Sequence, residues 1–240
     1  MSMLKTLVVG PSSGAKPTAT LFLLHGLGDT SAGWSDVAMM LSKRPSLRHV
    51  RFVLPNSPIQ PVTLNMGMSM PSWFDIRSLD DISGGEDEAG LLKSRDEIIK
   101  LVKAEVDGSG KGLDGHKIAS ERVVVGGFSQ GGAISYLTGL TIPMQVGGVV
   151  ALSTWLPLRA KINALKSDHM NNLKVFHGHG NADPVVRYEY GSRTVDFVKK
   201  ELGLGDKVTF KTYDGMPHSA CAEEIEDIAK FLEQVIPASE

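Results

Sequence analysis

What this chain is short of narrows its possibilities first. Cys221 is the only cysteine in 240 residues. One thiol cannot close an internal disulfide or complete a four-thiolate zinc site, and it implies no oxidising compartment. Net charge is nearly absent too: 25 Lys+Arg face 27 Asp+Glu, a formal −2. Without a basic stripe, no nucleic-acid partner is expected. Unbroken apolar runs such as Leu21–Leu24 fall far below the ~20 residues a membrane-spanning helix needs. The opening Met1-Ser-Met-Leu-Lys-Thr has no charged region followed by a long apolar stretch and cleavage site, so no secretory signal is expected. Cytoplasmic residence, with the nucleus also open to it, is the expectation.

The chain does carry the material for one buried core. Its 42% hydrophobic and 22% charged composition is that of an ordinary globular protein, and its length suits a single domain over 1–240. Short β-branched runs alternate with helical patterns, which predicts an α/β fold, a mostly parallel central sheet with helices on both faces. The predicted strands are Thr6–Val9, Ala19–Leu24, Val50–Pro55, Arg122–Phe128, Val149–Leu152, Leu173–His177 and Val208–Tyr213. Several are apolar without alternation, as strands buried on both faces should be. Helical faces are read from Val37, Met40 and Leu41, and from Leu91, Ile98, Val102 and Val106. Later helices are predicted over Val186–Leu202 and Ala222–Val235, and the Gly-rich stretches Ile82–Glu86 and Gly108–Gly115 read as surface loops.

Chemistry concentrates at Gly127-Phe-Ser129-Gln-Gly131. This G-x-S-x-G pattern follows an apolar strand and opens a small-residue helix, the context of a nucleophile elbow. A strand must turn into a helix so sharply that the central residue is strained, and glycines on either side remove the Cβ atoms that would collide. The turn would present Ser129 at the head of a helix, where developing negative charge is favoured.

A serine hydroxyl needs a base near neutral pH. Of seven histidines, only His218 follows the last predicted strand, in Asp214-Gly-Met-Pro-His218, as the chain order Ser…acid…His of this elbow class requires. The acid expected from the preceding strand's loop, His179-Gly-Asn-Ala-Asp183-Pro, is Asp183, which would hold the imidazole tautomer. Asp214 is a rival carboxylate, and His177, His179 and Asp183 admit a metal-site reading. An oxyanion hole would form where Ala19–Leu24 runs into His25-Gly-Leu27-Gly28, from the N–H groups of Leu27 and Gln130. His25 would brace that loop.

Taken together, the segments His25–Thr30, Pro71–Asp75, Gly127–Gly132, Ala151–Pro157, His179–Pro184 and Gly215–Ser219 make the sequence resemble the acyl-protein thioesterases, a lysophospholipase-like carboxylesterase family of the α/β-hydrolase fold. The likeness spans nearly the whole chain in the right order. It implies that Ser129, Asp183 and His218 hold the triad positions and Leu27 and Gln130 the oxyanion positions. It further implies cleavage of S-palmitoyl thioesters from cysteines of membrane-associated proteins, with lysophospholipids and small esters as additional substrates.

On that reading Met66, Met70, Trp73 and Phe74 form one wall of an acyl site, and Trp155 and Leu156 another; Met side chains adapt readily to such a surface. No metal or organic cofactor is required. Contact with a membrane surface would be transient, because the chain begins Met1-Ser2-Met3 and lacks the N-terminal acylated cysteine of some animal relatives. An apolar groove of this kind would also support a weak homodimer. A general carboxylesterase or lysophospholipase is the nearest alternative, and a non-catalytic binding protein on the same fold a more distant one.

Overall fold

A computed structural model describes residues 4–80 and 85–238. Most of the loop predicted at Ile82–Glu86, and the opening Met1-Ser2-Met3, therefore lie outside the described residues. The strands are β1 (Thr6–Val9), β2 (Ala19–Leu24), β3 (Val50–Pro55), β4 (Ile59–Val62), β5 (Met68–Pro71), β6 (Val123–Phe128), β7 (Gly148–Leu152), β8 (Lys174–Gly180) and β9 (Val208–Tyr213). The helices are α1 (Ser35–Ser42), α2 (Glu88–Asp107), α3 (Gln130–Thr141), α4 (Ile162–Leu165), α5 (Tyr188–Lys200) and α6 (Ala222–Val235).

Seven strands form one sheet in the order β1-β3-β2-β6-β7-β8-β9. Only β1 runs antiparallel to its neighbour; every other pair is parallel. All six residues of β2 and of β3 are buried, which is why these runs show no polar alternation. Successive side chains go to opposite faces. Phe22, Leu24, Val123 and Val125 pack with Leu91, Ile98, Ile134 and Val198 from α2, α3 and α5. Leu21, Leu23, Phe52 and Val124 pack with Ala38, Leu41, Ile228 and Leu232 from α1 and α6. Each of these large apolar side chains contributes about 1.5–3 kcal/mol by burial.

Sequence periodicity places Met40 on the inward face of α1, but its side chain is 57% exposed. The helix turns Ala38 and Leu41 inward, one step away. A two-stranded antiparallel hairpin, β4–β5, stands apart from the main sheet, over residues for which the sequence reading predicts no strand. Because β2, β6, β8 and β9 are parallel, the loops that leave them emerge at one edge of the sheet. That edge carries Ser129, Asp183 and His218, at the place where open α/β sheets generally bind ligands.

Candidate active site

Ser129 sits between β6 and α3 at φ 55°, ψ −120°. A non-glycine residue held there stores about 1–3 kcal/mol of strain. Its surroundings enforce the conformation. Ser129 N–H donates to the Leu152 carbonyl at 2.8 Å, and its own carbonyl accepts from Ala133 N–H at 3.0 Å and from Thr154 Oγ1 at 2.6 Å. Backbone also crowds the flanking glycines: a Cβ on Gly127 would lie 2.5 Å from Gly131 C, and one on Gly131 2.4 Å from Leu24 O. No larger residue fits either place, so the glycines of the pattern are a packing requirement of this turn.

The loop after β2 passes directly over the serine. A Cβ on Gly26 would meet the Phe128 ring at 3.3 Å and Ser129 Cβ at 3.5 Å. His25 is buried and pins this loop: its Nε2 accepts from Ser57 N–H at 3.1 Å, so Nδ1 carries the proton and donates to Gly26 O at 2.7 Å. Burial lowers the pKa of His25 against that backbone bond and keeps it neutral. Gly28 N–H donates to Pro71 O at 2.8 Å, tying the loop to the β4–β5 hairpin. Among the described residues, the N–H groups of Leu27 and Gln130 have no hydrogen-bond partner. Gln130 N–H is one of the unpaired donors at the head of α3.

On the other side, two loops meet. Asn181 Nδ2 donates to Asp214 Oδ1 and Asn181 Oδ1 accepts from Gly215 N–H, stitching the loop after β8 to the loop after β9. Asp214, the sequence's rival acid, is engaged there. Asp183 instead meets His218: His218 Nδ1–H donates to Asp183 Oδ2 at 2.7 Å, while Oδ1 accepts from the N–H groups of Val185 and Val186 at 2.8 and 2.9 Å. Burial alone would raise the pKa of this carboxyl. The bonds from His179 and His218, the His218 charge and the Val185 N–H outweigh burial and hold it well below the usual carboxylate range.

The Asp183 bond leaves Nε2 of His218 as the nitrogen available to a nucleophile. The imidazole lies against Phe128, the residue before Ser129, with ring centroids 4.6 Å apart. Among the described residues no hydrogen bond joins Ser129 Oγ to His218. Such a bond commonly tightens only when substrate is bound. His177 and His179 spend their ring nitrogens on Tyr136, on each other and on the Val186 carbonyl, so neither offers a lone pair to a metal in this arrangement.

Residues 6–236 match the phospholipase/carboxylesterase family. The chain belongs to that family. Among the similar proteins of this phospholipase/carboxylesterase family, "Acyl-protein thioesterase 1" of Mycosarcoma maydis is 75% identical over 239 residues, covering 99% of this chain and 100% of the relative. A protein of the same name from Cryptococcus neoformans is 46% identical, covering 97% and 98%. Among solved structures, acyl-protein thioesterase 2 of Zea mays superposes with TM-score 0.80 at 28% identity, covering 97% of this chain and 99% of that one. Arabidopsis thaliana SOBER1 gives 0.81 at 27%, covering 92% and 100%. The fold is that of the α/β-hydrolases, and the chain is a hydrolase.

The residues expected to hold an acyl chain take up different positions in this phospholipase/carboxylesterase site. Trp73 is fully buried beneath the 25–28 loop, its Nε1–H donating to His25 O at 2.9 Å. Met70 Sδ lies near Gly28, 3.9 Å from where a Cβ would stand. Phe74 and Trp155 meet edge to face with centroids 6.2 Å apart. Trp155 and Leu156 line an open cavity of about 340 Å³ with Glu86, Arg159, Tyr190 and Arg193. Met66 is 87% exposed at the hairpin turn, and Ile59, Leu64 and Met68 of the same hairpin are exposed as well.

Sequence reading assigned Gln130 only a backbone role. Its buried side chain accepts from Trp73 N–H at 2.8 Å and donates to Phe74 O at 2.7 Å and Ser72 Oγ at 3.0 Å. The residue after Ser129 therefore fastens residues 72–74 beside it. A polar side chain within an otherwise Gly-Ala-rich helix start was the available signal.

Proposed function

We propose that this hydrolase cleaves long-chain acyl thioesters on protein cysteines, using Ser129 as nucleophile, His218 as base and Asp183 as the carboxylate that orients it. The observation that carries the reading is the strained Ser129 lying beneath the 25–28 loop, with unpartnered Leu27 and Gln130 N–H groups and the Asp183–His218 bond beside it. The name shared by the fungal relatives supports the choice of acyl thioester.

In this mechanism His218 Nε2 takes the Ser129 proton as Oγ attacks the carbonyl carbon. The carbonyl oxygen becomes an oxyanion between the Leu27 and Gln130 N–H groups, each such donor being worth about 3–4 kcal/mol in the transition state. The C–S bond then breaks, and the departing sulfur receives the proton held by His218. Water, deprotonated by His218, attacks the acyl-enzyme. The Ser129 ester bond breaks, fatty acid leaves and Ser129 regains its proton. The exposed Ile59, Met66 and Met68 flank this edge on a hairpin hydrogen-bonded to the oxyanion loop, which suits transient contact with the membrane that displays acylated proteins.

A second reading, hydrolysis of lysophospholipids and simple esters, is favoured by the family's description as phospholipase/carboxylesterase. The two separate in one assay. Rates are measured for matched thioesters and oxygen esters of graded chain length, with Ser129→Ala as control. A rate on thioesters that climbs with chain length supports the first; a preference for short oxygen esters overturns it.

A further inference from the structure

The hydrolytic site leaves unexplained three buried polar side chains behind it. Tyr136 belongs to α3, the helix that Ser129 opens, and its hydroxyl lies 2.8 Å from His177 Nδ1. His177 Nε2 is 3.3 Å from His179 Nδ1. His179 Nε2 is 2.8 Å from Val186 O and 3.5 Å from Asp183 Oδ2. All three residues are fully buried.

With both imidazoles neutral, only one proton arrangement satisfies this chain. A carbonyl can only accept, so His179 Nε2 carries a hydrogen and Nδ1 is bare. The bare Nδ1 takes the Nε2–H of His177, whose own bare Nδ1 takes the Tyr136 O–H. Burial holds the Tyr136 hydroxyl protonated, and burial, with His179 nearby, keeps His177 neutral. The relay is thus directional, from the nucleophile helix to the turn that presents Asp183. At its end it closes that turn: His179 grips Val186 O, while Val186 N–H grips Asp183 Oδ1 at 2.9 Å. The packing around it leaves no slack. The two imidazoles stack with an interplanar angle of 11°, Phe210 and Tyr188 stand edge-on to them, and a Cβ on Gly191 of α5 would sit 2.2 Å from His179 Nδ1.

We propose that Tyr136, His177 and His179 form a relay with a single tautomer that holds Asp183 in the conformer orienting His218, which makes His179 a positioning residue for the hydrolysis. The proposal rests on the Ser129–His218–Asp183 reading above.

The test uses the full chain with three substitutions at the relay and three outside it. His179→Gln keeps an amide donor where Nε2 stood and reaches Val186 O; His179→Asn does not reach it. The expected result is a kcat lowered roughly ten- to a hundredfold in His179→Asn, the cost of a small displacement of a catalytic group, with KM unchanged and His179→Gln restoring most of the rate. Gly191→Ala should raise helix propensity by about 1 kcal/mol, yet lower kcat by pressing on the imidazole pair. In wild-type protein labelled with 15N-histidine, both His177 and His179 should show the Nε2–H tautomer. Equal kcat in His179→Asn, Tyr136→Phe and wild type, or an Nδ1–H tautomer at either histidine, would overturn the relay. If His179→Asn fails to fold, the tautomers and Gly191→Ala decide it. Ser129→Ala and His218→Ala keep the two claims apart. If they abolish activity while the relay variants leave it intact, the relay fails and the triad stands; if they retain activity, the triad reading itself has failed.

Discussion

Replacing Asp183 with Asn changes one atom, and the geometry dictates which way that atom points. The two N–H groups of Val185 and Val186 converge on Oδ1, so the amide must keep its oxygen there; turning it over would set an NH₂ against two donors. The nitrogen therefore falls where Oδ2 stood, 2.7 Å from His218 Nδ1. An amide NH₂ can only donate, so the imidazole must move its proton from Nδ1 to Nε2 to accept. Nε2–H cannot take the Ser129 proton. The fold is undisturbed, but the base is presented in the wrong tautomer, a change worth about 10⁴ in kcat, or roughly 5 kcal/mol of barrier. The assay is steady-state hydrolysis of a chromogenic ester and an acyl thioester, with unfolding in urea run in parallel to show that structure is retained. Activity should return partly at high pH, where hydroxide replaces the missing base. A folded Asp183→Asn variant within tenfold of wild type would refute the reasoning, because the carboxylate would then not be setting the tautomer.

Other consequences are as concrete. Gly131→Ala should abolish activity and destabilise the fold in urea titrations by several kcal/mol, because its Cβ would meet the Leu24 carbonyl at 2.4 Å and backbone must move; unchanged stability would show that this contact yields. Gln130→Ala strands the buried Trp73 N–H, at about 1–3 kcal/mol, and leaves Phe74 O with only Ser72 Oγ as donor, so the loss of stability should exceed that of an ordinary surface substitution while the backbone N–H of residue 130 survives. Glu224 is buried with neither carboxylate oxygen hydrogen-bonded, and burial, then Asp227, pushes its pKa up to about 8. The unfolded chain releases that proton near pH ~4.3 and the folded chain only near 8, so wild-type stability from this group falls as pH rises across that window. Glu224→Gln, which cannot titrate, should gain a few kcal/mol relative to wild type between pH 5 and about 8 in matched urea melts; a gap that does not grow with pH would contradict it.

The parts legible in the sequence were those whose physics is local. Four strands, Thr6–Val9, Ala19–Leu24, Val50–Pro55 and Val208–Tyr213, have the predicted bounds because apolar runs of strand length stop at turn residues. The helix Ala222–Val235 does too, its buried Ile228, Phe231 and Leu232 lying on one face. Where tertiary contacts decide, the reading slipped. β8 continues three residues past the predicted end at His177, since Gly178-His-Gly180 has no β signal and stays in the sheet by pairing with β9. α5 begins at Tyr188, two residues late, because Val186 N–H is drawn to Asp183 and a proline precedes Val185. The β4–β5 hairpin was missed because Pro61, Pro71 and three methionines give no alternation, and its turn relies on Met66 at φ 54°. At the candidate site, the glycine spacing, the chain order of Ser129, Asp183 and His218, and the loop after β2 were all readable. The Gln130 clamp and the Tyr136–His177–His179 relay were not, since each needs a partner dozens of residues away, and neither was the unpaired Glu224, whose burial is set by tertiary packing.

Intact-mass spectrometry after treatment with a fluorophosphonate, followed by peptide mapping, tests the assignment of the nucleophile most directly. One phosphonyl adduct on the peptide carrying Ser129, formed in wild type and slowed by orders of magnitude in His218→Ala, is the expected outcome. An adduct on another serine, or labelling at Ser129 that proceeds equally fast without the imidazole, would contradict the account.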